Sequence, residues 1–209
     1  MFLEPCFRLN TDTILILKTM IPHFGYGKFG EFIFYSHYSR QKDNGNQESW
    51  ADVVIRVIEG VMSIRKDWYN KNHINWDECT WQIYAKEIAI SLFRMEWMPS
   101  GRGLWSMGTR LIYERGAMAL FACAFAQIKT GSYINDLCWI MDLLMHGVGV
   151  SFAPIRDDTL ELYEPVSDFN FLIPDTREGW VESLRLLLYS FSQPNATIPI
   201  FDYSALRPE

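Results

Sequence analysis

The chain has 209 residues, of which 49% are hydrophobic and 15% aromatic, with a formal charge of −6 and a pI near 5.3. That size and apolar content suit one large or two small globular domains and exclude the polar, charge-rich composition of a disordered segment. An acidic chain without a basic stripe lacks the electrostatic footprint of a protein that binds DNA or RNA polymers. A mononucleotide stays open, because a few backbone N–H groups and one arginine can hold a phosphate.

In chain order, the apolar run Ile14-Leu15-Ile16-Leu17 is too short to cross a bilayer. Glu4, Arg8 and Asp12 precede it in place of the basic flank of a signal peptide, so a cytoplasmic protein without a membrane partner is expected. Residues 28–40 (KFGEFIFYSHYSR) are rich in aromatic and β-branched side chains and read as strand or extended chain. A polar loop follows over residues 41–48. Ser49 then caps a helix, with Asp52 at the capping-box position and Val54, Val57, Ile58 and Val61 on one face. A second helix is expected over residues 77–97, with Trp81, Tyr84, Ile88, Leu92 and Met95 as its stripe. Pro99, Gly101 and Gly103 break it.

Residues 117–128 form a mostly apolar run containing Cys123, which reads as a buried strand. A third helix carries Tyr133, Leu137, Met141, Leu144 and Met145 and ends at Gly147-Val148-Gly149, before a short buried strand at 150–154. Asp175 is the expected N-cap of a fourth helix, with Glu178 completing its capping box and Trp180, Leu184, Leu187, Leu188 and Phe191 on its apolar face. Helices first, then strands alternating with helices, predict an α/β part after a helical part, divided here as 1–97 and 98–209. Cys6, Cys79, Cys123 and Cys138 form no CxxC pair and meet no histidine cluster, so no metal and no disulfide framework are expected.

Five strings taken together carry a resemblance: FLEP at 2–5, FYSHYSR at 34–40, PSGRGLWSMGT at 99–109, GVGVSF at 147–152 and PDTREGW at 174–180. In this order and spacing the chain resembles the amino-terminal third of the adenosylcobalamin-dependent (class II) ribonucleotide reductases, of the ribonucleoside-triphosphate type. The closing residues 201–208 resemble the strand and turn before that family's glycine-rich substrate-binding segment. The resemblance implies an amino-terminal helical region followed by the first part of a ten-stranded α/β barrel. It also implies radical reduction of ribonucleotides with adenosylcobalamin as cofactor, and a thioredoxin-like dithiol that resets a redox-active cysteine pair.

From the residue alone, Cys123 reads as a buried structural thiol; the resemblance implies instead that it is one member of the redox pair. It further implies that Pro99, Ser100, Gly101, Arg102, Ala122, Gly147 and Gly149 lie at the ribonucleotide substrate. By themselves, 99–103 also fit a plain helix-breaking turn, and Gly147 and Gly149 a helix cap. The third and fourth helices match the pair that builds the nucleotide effector site and the dimer interface, with Asp136, Asp142 and Arg177 as effector candidates. Some monomeric members of the family carry a long insertion between GVGVSF and PDTREGW that mimics a dimer partner. With only a short connection here, the resemblance implies a homodimer if a complete enzyme forms.

The chain departs from the family pattern in two places. Residues 6–17 match no family string, and Phe121-Ala122 stand where a polar pair usually precedes the redox cysteine. By resemblance, the radical cysteine, the second redox cysteine, the catalytic carboxylate and most of the cobalamin site fall beyond residue 209. The chain alone is therefore expected to be inactive and to need a complementary carboxy-terminal piece. The alternative is a non-catalytic remnant or regulatory binding module that pairs with a full-length reductase.

Overall fold

A computed structural model of the chain describes residues 4–155 and 160–207; Phe2 and Leu3 of the first family string, and Pro208 of the last, lie outside the described residues. The fold mixes helices and strands in two compact units, Met1–Leu120 and Phe121–Glu209. Residues 98–120, expected to open the α/β part, cluster instead with the helical unit.

In the first unit, α1 (Thr11–Thr19), α2 (Lys28–His37), α3 (Trp50–Lys71), α4 (Glu78–Phe93), α5 (Gly101–Ser106) and α6 (Arg110–Arg115) are followed by a 3-10 turn, Ala117–Leu120. The capping box at the start of α3 is complete: Ser49 Oγ accepts from the Asp52 N–H, and the Asp52 carboxylate accepts from the Ser49 N–H. α3 buries Val54, Val57 and Ile58 as its spacing predicts, but the stripe continues through Met62, and Val61 is exposed. α4 buries Ala85, Ala89, Leu92 and Phe93; of the expected stripe, Trp81, Ile88 and Met95 pack partly buried against the same core and Tyr84 is exposed. Alanines let α3 and α4 approach closely, while the indoles sit at the rim. There Trp76 and Trp81 stack with centroids 4.9 Å apart, and the Arg65 guanidinium lies 4.2 Å from the Trp81 ring.

The strand expected over residues 28–40 is a helix, α2. A strand would place Phe32, Phe34 and Ser36 on one face and Ile33, Tyr35 and His37 on the other, and neither set is consistently apolar. At helical spacing, Gly30, Ile33, Phe34 and Tyr38 share a face, and Phe34 packs edge-on against Trp50 at 5.4 Å. Residues 6–17, unplaced by the family strings, form a strap on α3 that runs into α1. The Phe7 N–H donates to Ser63 Oγ at 3.1 Å and the Leu9 N–H to Glu59 Oε1 at 3.0 Å, while Arg8 pairs with Glu59 Oε2 at 2.5 Å.

The second unit comprises β1 (Cys123–Gln127), α7 (Tyr133–Met145), β2 (Gly149–Ala153), β3 (Ser167–Leu172), α8 (Arg177–Ser190) and β4 (Thr197–Asp202). β1 pairs in parallel with β2, and β3 with β4, each through an intervening helix as parallel strands require. The strand expected over 117–128 therefore shrinks to five residues, with a 3-10 turn before it. The expected burial of β1 and β2 also fails, since Phe125 and Phe152 are largely exposed. Parallel strands are buried when helices or further strands cover both faces, and the small core of Ala126, Ile128 and Ile140 covers one.

The N-cap of α8 is Thr176, whose Oγ1 accepts from the Gly179 N–H at 3.0 Å. Asp175, the expected cap, pairs instead with Arg207 at 2.9 Å, and Glu178 is thereby shifted off the capping-box position and pairs with Arg177. The buried residues of α8 are Gly179, Ser183 and Ser190, while its leucines are half-buried. A Cβ on Gly179 would lie 2.4 Å from Pro174 O, so the chain preceding the helix folds onto its first turn. Among the described residues no helix is long and apolar enough to cross a membrane.

Candidate functional site

The candidate residues fall in three places, one in the first unit and two in the second. In the first unit, α4 ends at Phe93 and the chain turns through Pro99 into α5. Ser100 caps α5, its Oγ accepting from the Gly103 N–H at 3.2 Å. The turn is close-packed: a Cβ on Gly101 would lie 3.2 Å from the Tyr38 hydroxyl, and one on Gly103 3.2 Å from the Pro99 side chain. Ser100 and Gly101 themselves are exposed, with their backbone open to a ligand. Pro99 and Gly101 also line an apolar cavity of about 350 Å³ with Phe34, Tyr38, Trp50 and Met98.

The other end of α5 is tied down by two arginines. Arg56 on α3 donates from Nη2 to Leu104 O at 3.0 Å and from Nη1 to Met107 O at 2.6 Å. Its Nε and Nη2 also meet the two carboxylate oxygens of buried Glu48 at 2.7 and 2.9 Å. Arg40 donates to Trp105 O at 3.1 Å, and its guanidinium stands 4.6 Å from the Trp105 ring centroid. Burial, with Arg56 beside it, holds the Arg40 pKa below its ordinary value. Sequence reasoning missed Glu48, Arg56 and Arg40. The available signal was an arginine within the otherwise apolar run 53–58, where a charge needs a partner.

In the second unit, Ala122, Cys123, Gly147 and Gly149 come together. Cys123 opens β1 opposite Gly149 of β2, and the Gly149 N–H donates to Ala122 O at 2.9 Å. Gly147 ends α7 with φ 74°, a conformation that glycine takes without strain. A Cβ on Gly149 would have only Ala122 O near it, at 3.6 Å, so space remains beside the thiol. Cys123 is exposed, in contrast to the buried structural thiol that its apolar neighbours suggest. Cys138 fits that description: it is buried on α7, and burial pushes its thiol pKa up, which keeps it unreactive. Cys6 and Cys79 are exposed, and all four cysteines are free thiols.

Of the effector candidates, Asp142 and Arg177 form an ion pair at 2.9 Å between the end of α7 and the start of α8. Arg177 also contacts the His146 ring, with Nη1 3.0 Å from Nδ1, and pairs with Glu178 at 2.9 Å. Asp136 is not part of this group. It sits in the first turn of α7, about 9 Å along the axis from Asp142, and accepts from the Ser132 hydroxyl at 2.8 Å and the Lys129 N–H at 3.1 Å. Its observed task is to fix the turn into α7. Among the described residues no group of His, Cys, Asp and Glu is placed to hold a metal ion.

Comparison with known proteins gives these sites a context. The ribonucleotide reductase alpha domain family matches residues 9–109. An adenosylcobalamin-dependent ribonucleoside-triphosphate reductase of Euglena gracilis is 37% identical over 199 residues, covering 89% of this chain and 26% of the relative. A Dictyostelium discoideum protein named as a probable reductase of the same kind is 34% identical, over 96% of this chain and 29% of its own length. A crystal structure of a B-12 dependent (class II) ribonucleotide reductase superposes with a TM-score of 0.70 at 23% identity, over 96% of this chain and 35% of that one. The chain thus spans between a quarter and about a third of the length of these relatives.

Proposed function

We propose that this chain, which is similar to part of the adenosylcobalamin-dependent ribonucleotide reductases, supplies the substrate turn, one redox cysteine and the effector helices of such an enzyme. In this reading β1 to β4 are the first strands of the ten-stranded barrel. The exposed Phe125 and Phe152 are then faces that further strands and helices cover. Pro99, Ser100, Gly101 and Arg102 of the first unit are assigned to ribonucleotide contact by the resemblance, as are, separately, Ala122, Gly147 and Gly149 of the second. Asp142 and Arg177 stand at the nucleotide effector site and the homodimer contact of α7 and α8.

The observation that carries the reading is the exposed Cys123 thiol, opposite a residue without a side chain, in a chain similar to these reductases over nearly its whole length. The reaction replaces the ribose 2′-hydroxyl with hydrogen. Two thiols become one disulfide, supplying two electrons and two protons, and water leaves. Cys123 would be one of those thiols; its partner would come from the part of the enzyme not represented in this sequence. A thioredoxin-like dithiol then returns both to the reduced state by exchange.

Adenosylcobalamin would supply the radical that starts the reaction. The described residues do not make its seat by themselves. In the second unit, Tyr133 Oη is a buried polar atom left without a partner, and one hydroxyl is too little for the amide-bearing rim of a corrin. The steps assigned to this chain are therefore substrate binding and thiol donation.

The test is reduction of a ribonucleoside triphosphate by an enzyme that joins this chain to the remaining length of its relatives, with adenosylcobalamin and a dithiol. Cys123→Ser is expected to abolish turnover with the dithiol while leaving the fold intact. Full turnover by Cys123→Ser would refute the assignment.

A further inference from the structure

We propose that Glu48 and Arg56 are positioning residues for the 99–107 turn, holding α5 on α3 so that the open backbone at Ser100 and Gly101 keeps a single geometry. The proposal rests on reading that turn as part of the substrate site. α5 has six residues, too few to be stable as an isolated helix, so its shape must come from tertiary contacts. Its cap secures one end through the Ser100 hydroxyl. The carbonyls at its other end have no further helical turn to bond, and Leu104 O, Trp105 O and Met107 O are taken by guanidinium groups instead. Cations at a helix C-terminus also oppose the partial negative charge there.

Arg56 is itself fixed by Glu48 through both carboxylate oxygens, and the same carboxylate accepts from the Arg40 N–H at 3.2 Å. One buried acid thus holds the Arg56 guanidinium and, through the Arg40 backbone N–H, the start of the Arg40 side chain. A buried ion pair is a poor means of gaining stability, since desolvation offsets most of its attraction and an apolar pair would often serve as well. What an apolar pair cannot provide is a planar fork that meets two carboxylate oxygens and two backbone carbonyls at once. Lysine cannot either. The register of the segment is set a second time by glycines. A Cβ on Gly60 would lie 2.5 Å from Gly108 N, and one on Gly108 would lie 2.1 Å from Arg56 O. Both contacts place the end of the 99–109 segment directly on the α3 backbone.

The experiment is amide hydrogen exchange on the full chain, comparing residues 101–107 with α3 and α4, in wild type, Arg56→Met, Arg56→Lys and Glu48→Gln. Leu17→Ala, which weakens the same core from α1, is the stability control. Exchange at 101–107 is expected to quicken about tenfold or more beyond the control in the Arg56 variants, as loss of charge-assisted bonds to backbone implies. Exchange no faster than in Leu17→Ala would overturn the clamp. A second arm, on the enzyme that joins this chain to the remaining length of its relatives, adds ATP, CTP, GTP or UTP and reads protection at 100–103. Protection in wild type that falls about tenfold in apparent affinity in Arg56→Lys supports the positioning role. Equal affinity in wild type, Arg56→Lys and Glu48→Gln would overturn that role and leave the substrate reading standing. No protection by any triphosphate in wild type would remove the substrate reading itself, and the positioning role with it, even where the clamp variants loosen α5.

Discussion

Gly60→Ala sets two opposed effects against each other within α3. A glycine inside a helix costs about 1 kcal/mol relative to alanine, so propensity alone predicts a stabilised protein. The added Cβ, however, would stand 2.5 Å from Gly108 N, 2.6 Å from Gly108 Cα and 3.1 Å from Met107 Cγ. Two of those atoms are backbone, and comfortable contact between carbons begins near 3.5 Å, so the segment must retreat by roughly an ångström. Overpacking of that kind costs about 1–3 kcal/mol. Retreat also stretches the bond from Arg56 to Met107 O, now 2.6 Å long, and a bond to a charged donor is worth roughly 1.5–3 kcal/mol. The net expectation is a loss of roughly 1–4 kcal/mol, a fall on the order of 5–15 °C in Tm for a unit of this size. Thermal and denaturant unfolding followed by circular dichroism read it directly, with Gly131→Ala, which meets nothing within 4 Å, as the neutral control. A Tm equal to or above wild type in Gly60→Ala would refute the claim that these glycines set the seat of the 99–109 segment.

Two further outcomes follow from the caps and their charges. Thr176→Ala is expected to cost about 1 kcal/mol in unfolding free energy, and Asp175→Ala, which loses an ion pair to a largely exposed arginine, clearly less; the reverse order in a denaturant titration would return the cap to Asp175. Burial alone would raise the Asp52 carboxyl pKa, but the Ser49 N–H and hydroxyl and the Lys42 ammonium outweigh it and hold the group below the ordinary carboxylate range. A depressed native pKa adds stability that is fully present above the unfolded value near 3.9 and is lost as pH falls through the native value. Asp52→Asn is therefore expected to flatten the acid limb of the stability curve below about pH 4, and an unchanged limb would show that the capping box adds nothing through charge.

The fold was legible where one periodicity dominated. α3, α7 and α8 stand where their stripes place them, because a residue repeat of three to four over several turns admits only a helix. It failed at 28–40, where aromatic composition suggested a strand while the 30-33-34-38 spacing carried the helix; burial of Phe34 against Trp50 decides between them. The buried faces were read less well than the elements. In α4 the stripe held except at Tyr84 but missed Ala85 and Ala89. In α7 Leu144 and Met145 are exposed while Ile134, Cys138, Ile140 and Leu143 are buried, and in α8 the buried residues are Gly179, Ser183 and Ser190. Large side chains mark a face in sequence, but close helix packing is made by small ones, here Ala85 and Ala89 in α4 and Gly179 and Ser183 in α8. The exposure of β1 and β2 was illegible for another reason: a parallel strand reads as apolar on both faces whether or not its covering layers belong to the same sequence.

The candidate site divides along a similar line. Residues that work through their backbone, such as Ser100, Gly101, Gly147 and Gly149, announce themselves, because caps and glycines have local rules. Cys123 needed the surrounding strings, since its neighbours describe a buried thiol and the structure presents an exposed one. The clamp shows in sequence only as a lone arginine in the apolar run 53–58. Arg40, Glu48 and Arg56 are close in sequence, but the carbonyls they serve, from Leu104 to Met107, belong to a segment about fifty residues further on. A buried arginine predicts that it has a partner, not which one. That choice is made by the packing of α5 on α3, and it assigns a functional consequence to a charge pair whose contribution to stability alone would be small.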